Sequence, residues 1–168
     1  MSIAVCPGSF DPITLGHVDV VRRARTMFDE VVVAVAHNSS KRSLLGPEER
    51  VRLAQDALAG TDGVRVVATD GLLVDLVRDL GARAVVKGLR SGADLDAELA
   101  MALMNRHLSG VETVFVLGDP GLAHIASSLV KDVARHGGPI DDMVTPAVAA
   151  AVRQALAPAS AGGGEDGR

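Results

Sequence analysis

The segment Gly8-Ser9-Phe10-Asp11-Pro12-Ile13-Thr14-Leu15-Gly16-His17 follows a short apolar run and leads into an amphipathic stretch. A glycine-containing turn from a strand into a helix start presents backbone N–H groups to an anion, and the helix dipole adds to the attraction. Gly16 leaves room for close approach, and His17, in the first helical turn, can aim its imidazole at the same spot. Read alone, His17 is equally a residue that caps or packs the helix. Further cations stand at other strand ends: Lys41 in Asn38-Ser39-Ser40-Lys41-Arg42, and Lys87 and Arg90 in Val86-Lys87-Gly88-Leu89-Arg90, placed just after the fourth strand. Each alone reads as an exposed loop residue. Together with His17, they bring basic groups from three strand ends to one crevice in a chain of net charge −4. Ser127 and Ser128 open a later amphipathic stretch, where their hydroxyls and amides suit phosphate as well as an ordinary N-cap. Glu98 and Asn105 lie seven apart, so they share one helix face, either solvated surface or the wall of a site.

These residues need elements to hold them. Ile3–Cys6, Val31–Ala36, Val64–Ala68, Ala84–Val86 and Thr113–Leu117 are nearly continuous apolar runs bounded by polar residues or glycine, which predicts buried strands. Helical spacing covers His17–Phe28, Pro47–Leu58, Leu72–Leu80 and Asp94–Leu108, with two more helices over Ser127–His136 and Pro146–Leu156. Pro47 suits a first turn, and Glu48 and Glu49 suit the positive end of the dipole. Gly60 and Gly81 stand at helix stops, and Ser91 to Asp94 fits a capping box. Strand and helix alternating about five times predicts a doubly wound, Rossmann-like α/β fold: a mainly parallel five-stranded sheet with helices on both faces. Ligands then bind outside the carboxyl ends of the strands.

Length and composition fit one domain, expected over 1–156, with a small, Gly-rich, disordered tail over 157–168. A leader peptide and a membrane-spanning run are not expected. The single cysteine, Cys6, lies in a predicted strand and reads as a small core hydrophobe, which points to a cytoplasmic setting. An acidic balance and only three aromatic rings, Phe10, Phe28 and Phe115, disfavour nucleic-acid binding. The histidine spacing does not suit a metal cage.

The first segment resembles the G-x-F-D-x-x-[TH]-x-G-H signature of the nucleotidyltransferases. Ile125–Lys131 resembles their second signature, Ile-Ser-Ser-[Ser/Thr]-x-x-[Lys/Arg], with Ala126 where a serine is usual. Lys87-Gly88-Leu89-Arg90 followed by Met104-Asn105-Arg106-His107-Leu108 is similar to phosphopantetheine adenylyltransferases in particular. So are Pro47-Glu48-Glu49-Arg50 and Ser128–Ala134, and the likeness runs from about Ile3 to Leu156. It implies in-line attack of the phosphate of 4′-phosphopantetheine on the α-phosphorus of ATP, giving dephospho-coenzyme A and pyrophosphate without a covalent intermediate. His17 would donate a hydrogen bond to the charge building on the α-phosphate. Ser9, Phe10, His17, Gly88, Leu89, Arg90, Glu98 and the loop Leu122, Ala123, His124, Ile125, Ala126, Ser127, Ser128 would contact ATP. Ser9, Lys41, Leu73 and Lys87 would contact the pantetheine side. The resemblance also implies Mg²⁺ carried on the ATP phosphates, a homohexamer, and coenzyme A as feedback inhibitor. Leu15, Ala97 and the non-aromatic loop Gly118–His124 depart from the pattern. Two other readings are a nucleotidyltransferase with another phosphorylated acceptor and an adenine-nucleotide-binding paralogue without turnover.

Overall fold

Runs of β-branched residues form five strands: β1 Ile3–Gly8, β2 Glu30–Ala36, β3 Val64–Thr69, β4 Ala84–Leu89 and β5 Glu112–Leu117. In the computed structural model, which describes residues 1–37 and 42–158, they pair in parallel in the order β3-β2-β1-β4-β5. The helices between and after them are α1 Leu15–Arg25, α2 Pro47–Leu58, α3 Leu73–Asp79, α4 Gly92–Ser109, α5 Ser127–Arg135 and α6 Pro146–Leu156, with a 3₁₀ turn at Pro120–Leu122. This is the expected doubly wound, Rossmann-like sheet. The chain builds outward from β1 to β3, then returns to the other side of β1 for β4 and β5. The winding direction therefore switches between β1 and β4, where such sheets open a crevice at their carboxyl ends.

Alternation along each strand divides the core in two. Ala4, Cys6, Val31, Val33, Val35 and Val86 face a layer of α1, α2, α5 and α6, supplied by residues such as Val21, Leu53, Val130 and Val148. Val5, Val32, Ala34 and Val85 face the other way, toward Val77 of α3 and Val111 just ahead of β5. The valines of β2 are almost wholly buried, and each such side chain stabilises the fold by about 1.5–3 kcal/mol.

Two boundaries differ from the sequence reading in ways that matter for the site. β4 runs on through Leu89 instead of stopping at Val86, because Lys87, Gly88 and Leu89 continue the ladder with Phe115, Val116 and Leu117. Lys87 is thus a strand residue facing the α4 layer with Val85, while Gly88 faces α1. There a Cβ on Gly88 would lie 2.6 Å from Val20 Cγ2, so the glycine lets α1 seat on the sheet. α1 begins at Leu15, ahead of His17, and ends at Arg25. Of the tail expected from residue 157, all but residues 157 and 158 lie outside the described residues. Among the described residues no helix is long and apolar enough to cross a membrane.

Candidate active site

Thr14 caps α1 with a reciprocal arrangement in which an imidazole takes the place of the usual Glu or Gln. The backbone N–H of Thr14 donates to His17 Nδ1 at 3.0 Å, and Thr14 Oγ1 lies 3.1 Å from the same nitrogen and 3.4 Å from the His17 amide. A backbone N–H can only donate, so Nδ1 must accept and the ring proton sits on Nε2. Burial pushes the imidazole pKa down to about 4, and the positive charges of Arg90 and Lys87 push in the same direction. His17 is therefore a neutral, oriented donor with Nε2–H as its free end. The Phe10 ring meets it edge-on, with centroids 5.1 Å apart at 72°.

Phe10 itself has φ 46°, in the left-handed region, a conformation that costs a non-glycine residue about 1–2 kcal/mol. Its ring is buried against Gly8, whose Cβ, if present, would stand 3.0 Å from the ring edge. The exposed Ser9 precedes it at the end of β1. Asp11 is buried and turned inward. It accepts the Leu44 and Leu45 amides at 2.9 Å each and the Lys131 ammonium at 2.7 Å. Burial pushes its carboxyl up, but these hydrogen bonds prevail and hold it below the usual carboxylate range. One turn before Lys131, the Ser127 hydroxyl donates to Pro12 O at 2.8 Å. The start of α5 is thus fastened to the β1–α1 loop at two points. The Ser127 hydroxyl proton is committed to Pro12, leaving the amides of the α5 start and the exposed Ser128 for a ligand.

On the other side of the switch point, Lys87 Nζ lies 3.1 Å from Glu98 Oε2 of α4. Lys87, Glu98, Met101 and Asn105 line a small hollow on that face together with Val85 and Thr113, so the shared face of Glu98 and Asn105 is turned toward the sheet, with Glu98 reaching Lys87. Arg90 follows β4 directly. Its guanidinium pairs with Asp94 at 3.1 Å and donates to Ile125 O at 3.2 Å, which ties the β4 end to the loop before α5. Asp94 is the N3 residue of α4, capped by Ser91. The hydrogen bond from Arg90 holds its carboxyl below the ordinary range, against the effect of burial. Gly118 N donates to Leu89 O at 3.1 Å, and a Cβ on Gly16 would stand 3.8 Å from Leu122 O. The loop from Leu122 to Ser128, including the exposed His124, thus packs beside the start of α1. Asp119 is drawn away from this centre: it caps the 3₁₀ turn through Gly121 N and lies 3.9 Å from Arg23.

Ser9, Phe10, His17, Lys87 to Arg90, Glu98 and the Leu122–Ser128 loop therefore share the carboxyl edge at the β1–β4 switch. Leu73 opens α3 on the same edge but packs against the second core cluster, beyond β2. Lys41 lies outside the described residues. Among the described residues, no three His, Cys, Asp or Glu side chains gather as an ion site. The larger hollow, bounded by Leu72, Arg78, Arg83, Leu108 and Gly110, lies between α3 and the end of α4 and reaches the amino ends of β4 and β5. Sequence reasoning left Asp11, Thr14, Lys131 and Arg50 without a role. All four stand in segments that carry the family resemblance, Asp11 and Thr14 in the first signature, Lys131 in the second and Arg50 in Pro47–Arg50, but the motifs do not say what each side chain holds.

Residues 5–133 match the family model described as cytidylyltransferase-like. A protein of Bifidobacterium longum named phosphopantetheine adenylyltransferase is 50% identical over 94% of this chain and 96% of its own. One of the same name from a Nocardioides species is 50% identical, covering 94% and 99%, and one from Bifidobacterium animalis is 52% identical, covering 93% and 99%. A solved Vibrio parahaemolyticus structure, provisionally assigned as a nicotinate-nucleotide adenylyltransferase, aligns with a TM-score of 0.66 over 93% of this chain and 95% of its own. At 18% identity it shows the fold alone. With a matching family model, relatives at half identity over nearly their whole length, and an oriented histidine at the switch point, the chain belongs to the phosphopantetheine adenylyltransferases, nucleotidyltransferase enzymes of coenzyme A biosynthesis.

Proposed function

We propose that His17 stabilises the transition state of adenylyl transfer from ATP to 4′-phosphopantetheine by donating its Nε2 proton as a hydrogen bond to the α-phosphate. The observation that carries this is the Thr14 N–H bond to Nδ1, which fixes both the tautomer and the ring plane. A neutral imidazole so held is neither nucleophile nor base. It supplies a donor where charge builds as the acceptor phosphate attacks α-phosphorus and pyrophosphate departs, chemistry that depends on positioning and electrostatic complementarity. Arg90 and the amides at the start of α5 would take the triphosphate. Ser9 and Lys87 would face the incoming phosphate, with Lys41 and Leu73 on the pantetheine side. Phosphate binding at Lys87 would compete with the Glu98 carboxylate now beside it.

Mg²⁺ enters as part of its substrate, MgATP, held by phosphate oxygens and water. The signature carboxylate Asp11 is turned to Leu44, Leu45 and Lys131 and has no side free for an ion. A cytoplasmic setting for the reaction is supported by Cys6, a lone buried thiol with no second cysteine to pair with. A homohexamer is supported by α4, where Leu95, Leu99, Met101, Leu103, Met104 and Leu108 are exposed while only Asn105 is buried, an apolar face that self-association would cover. Coenzyme A, which carries the product's pantetheine arm and adenylyl group, is the expected feedback inhibitor.

The test is His17→Ala. Loss of a donor that acts in the transition state should lower kcat by about 10²–10³-fold while the calorimetric Kd for ATP shifts only a few-fold. Equal losses in ATP binding and kcat/KM would refute the role.

A further inference from the structure

Among the described residues Arg50 is the largest fully buried side chain, 1% exposed, and it has no carboxylate partner there. An ionised group is seldom buried without a countercharge unless its hydrogen bonds are specific. Here Nη1 donates to two backbone carbonyls, Ser9 O at 2.7 Å and Ala36 O at 2.9 Å, and Nε has no partner. These carbonyls end β1 and β2, the two adjacent strands that lead into the β1–α1 loop and the loop before α2. The peptide between Ser9 and Phe10 is trans, so its carbonyl and its N–H point in opposite directions. Arg50 takes the carbonyl, which turns the Phe10 N–H away from α2. No backbone carbonyl among the described residues accepts that N–H. Phe10 also carries the left-handed φ of 46° and touches the His17 ring, so the orientation of this peptide and of the imidazole belong to one local arrangement.

We infer that Arg50 is a positioning residue for adenylyl transfer: its buried guanidinium holds the Ser9–Phe10 peptide so that the Phe10 N–H faces the reacting phosphate beside His17 Nε2–H. The inference rests on the phosphate site proposed above. A guanidinium on the carbonyl also polarises the peptide and strengthens the N–H as a donor. Arg50 never touches substrate in this arrangement. It acts through the peptide, and since both hydrogen bonds leave Nη1 at the far end of the side chain, the grip needs the full length of arginine.

Arg50→Met and Arg50→Lys test this by steady-state kinetics per folded molecule, calorimetric ATP binding and thermal melting. Arg50→Met should lower kcat by about 30- to 100-fold, the scale of a misplaced transition-state donor, with the ATP Kd within about threefold of the parent. Arg50→Lys, able to reach one carbonyl, should recover part of that loss, leaving kcat down about tenfold. A simple brace between β1 and β2 would instead lower melting temperature and leave kcat per folded molecule within about threefold, an outcome that overturns the inference for either variant. Should Arg50→Met fail to fold, Arg50→Lys decides by the same thresholds. His17→Ala measured in parallel separates the two readings. If it lowers kcat and the Arg50 variants do not, the Arg50 assignment alone falls. If His17→Ala leaves kcat intact, the phosphate site falls and this inference with it.

Discussion

Lowering the pH from about 7.5 to about 5 should leave the His17 imidazole neutral in the folded enzyme and remove about 2 kcal/mol of stability. In the unfolded chain the histidine takes up a proton near its ordinary value of 6.5, but in the fold it does so only near 4. Between those values the unfolded state binds more protons, so stability falls as pH drops through this window and is unaffected by His17 above it. With the two values given, an unfolded histidine at pH 5 is about 97% protonated and the folded one about 10%, which yields the 2 kcal/mol. The full difference, below pH 4, is about 3 kcal/mol. In a domain of this size 2 kcal/mol corresponds to roughly 4–8 °C in Tm. The assay is the difference in melting between the parent and His17→Gln at each pH, which cancels the carboxylates common to both. Nitrogen NMR of the imidazole reads the same transition directly and should find the proton on Nε2 throughout. Arg90→Met should raise the folded pKa, and Lys87→Met should raise it less. Burial, the largest cause, should keep both variants below 6.5. A His17 that titrates between 6 and 7, or a parent–variant difference that does not change with pH, would refute the neutral-donor argument.

Two further outcomes follow from the packing. Lys131→Met leaves the Asp11 carboxylate buried with only the Leu44 and Leu45 amides, and should destabilise by about 3 kcal/mol in a denaturant melt near pH 7. Because the Asp11 pKa is depressed in the fold, the parent's advantage is present above its ordinary 3.8 and is lost as pH falls below it; a deficit in the variant that persists into strong acid would contradict the pairing. Gly88→Ala brings a methyl to 2.6 Å from Val20 Cγ2 and should lower stability by about 1–3 kcal/mol, with Val20→Ala relieving part of the strain in the double variant. Additive losses would show that the two positions are not in conflict.

Much of the fold was legible because its signal is local. Apolar runs such as Val31–Ala36 and helical spacing such as Pro47–Leu58 carry their own boundaries, and α2 and α6 begin and end where the pattern placed them. β4 was read short because Lys87 and Gly88 look like loop residues, and only the ladder to β5 reveals otherwise. The start of α1 was missed because its cap pairs Thr14 with a histidine, whereas the capping signature looks for Glu or Gln. The cluster at the switch point was legible in the loop after β1 and the cations after later strands. The groups that hold it were not. Asp11 and Lys131 are 120 residues apart, and Arg50 sits in an amphipathic helix where an arginine ordinarily reads as surface. Burial of a charge depends on which carbonyls the fold brings to it, and helical spacing does not carry that information. Likewise α4 shows the periodicity of a packed helix, yet its apolar residues face outward.

The most direct test of the account is pyrophosphate release from MgATP with 4′-phosphopantetheine, beside a control with unphosphorylated pantetheine. Turnover is expected with the phosphorylated acceptor alone, lowered about 10²–10³-fold by His17→Ala. Turnover that ignores the acceptor phosphate, or none at all while calorimetry still detects ATP binding, would contradict it.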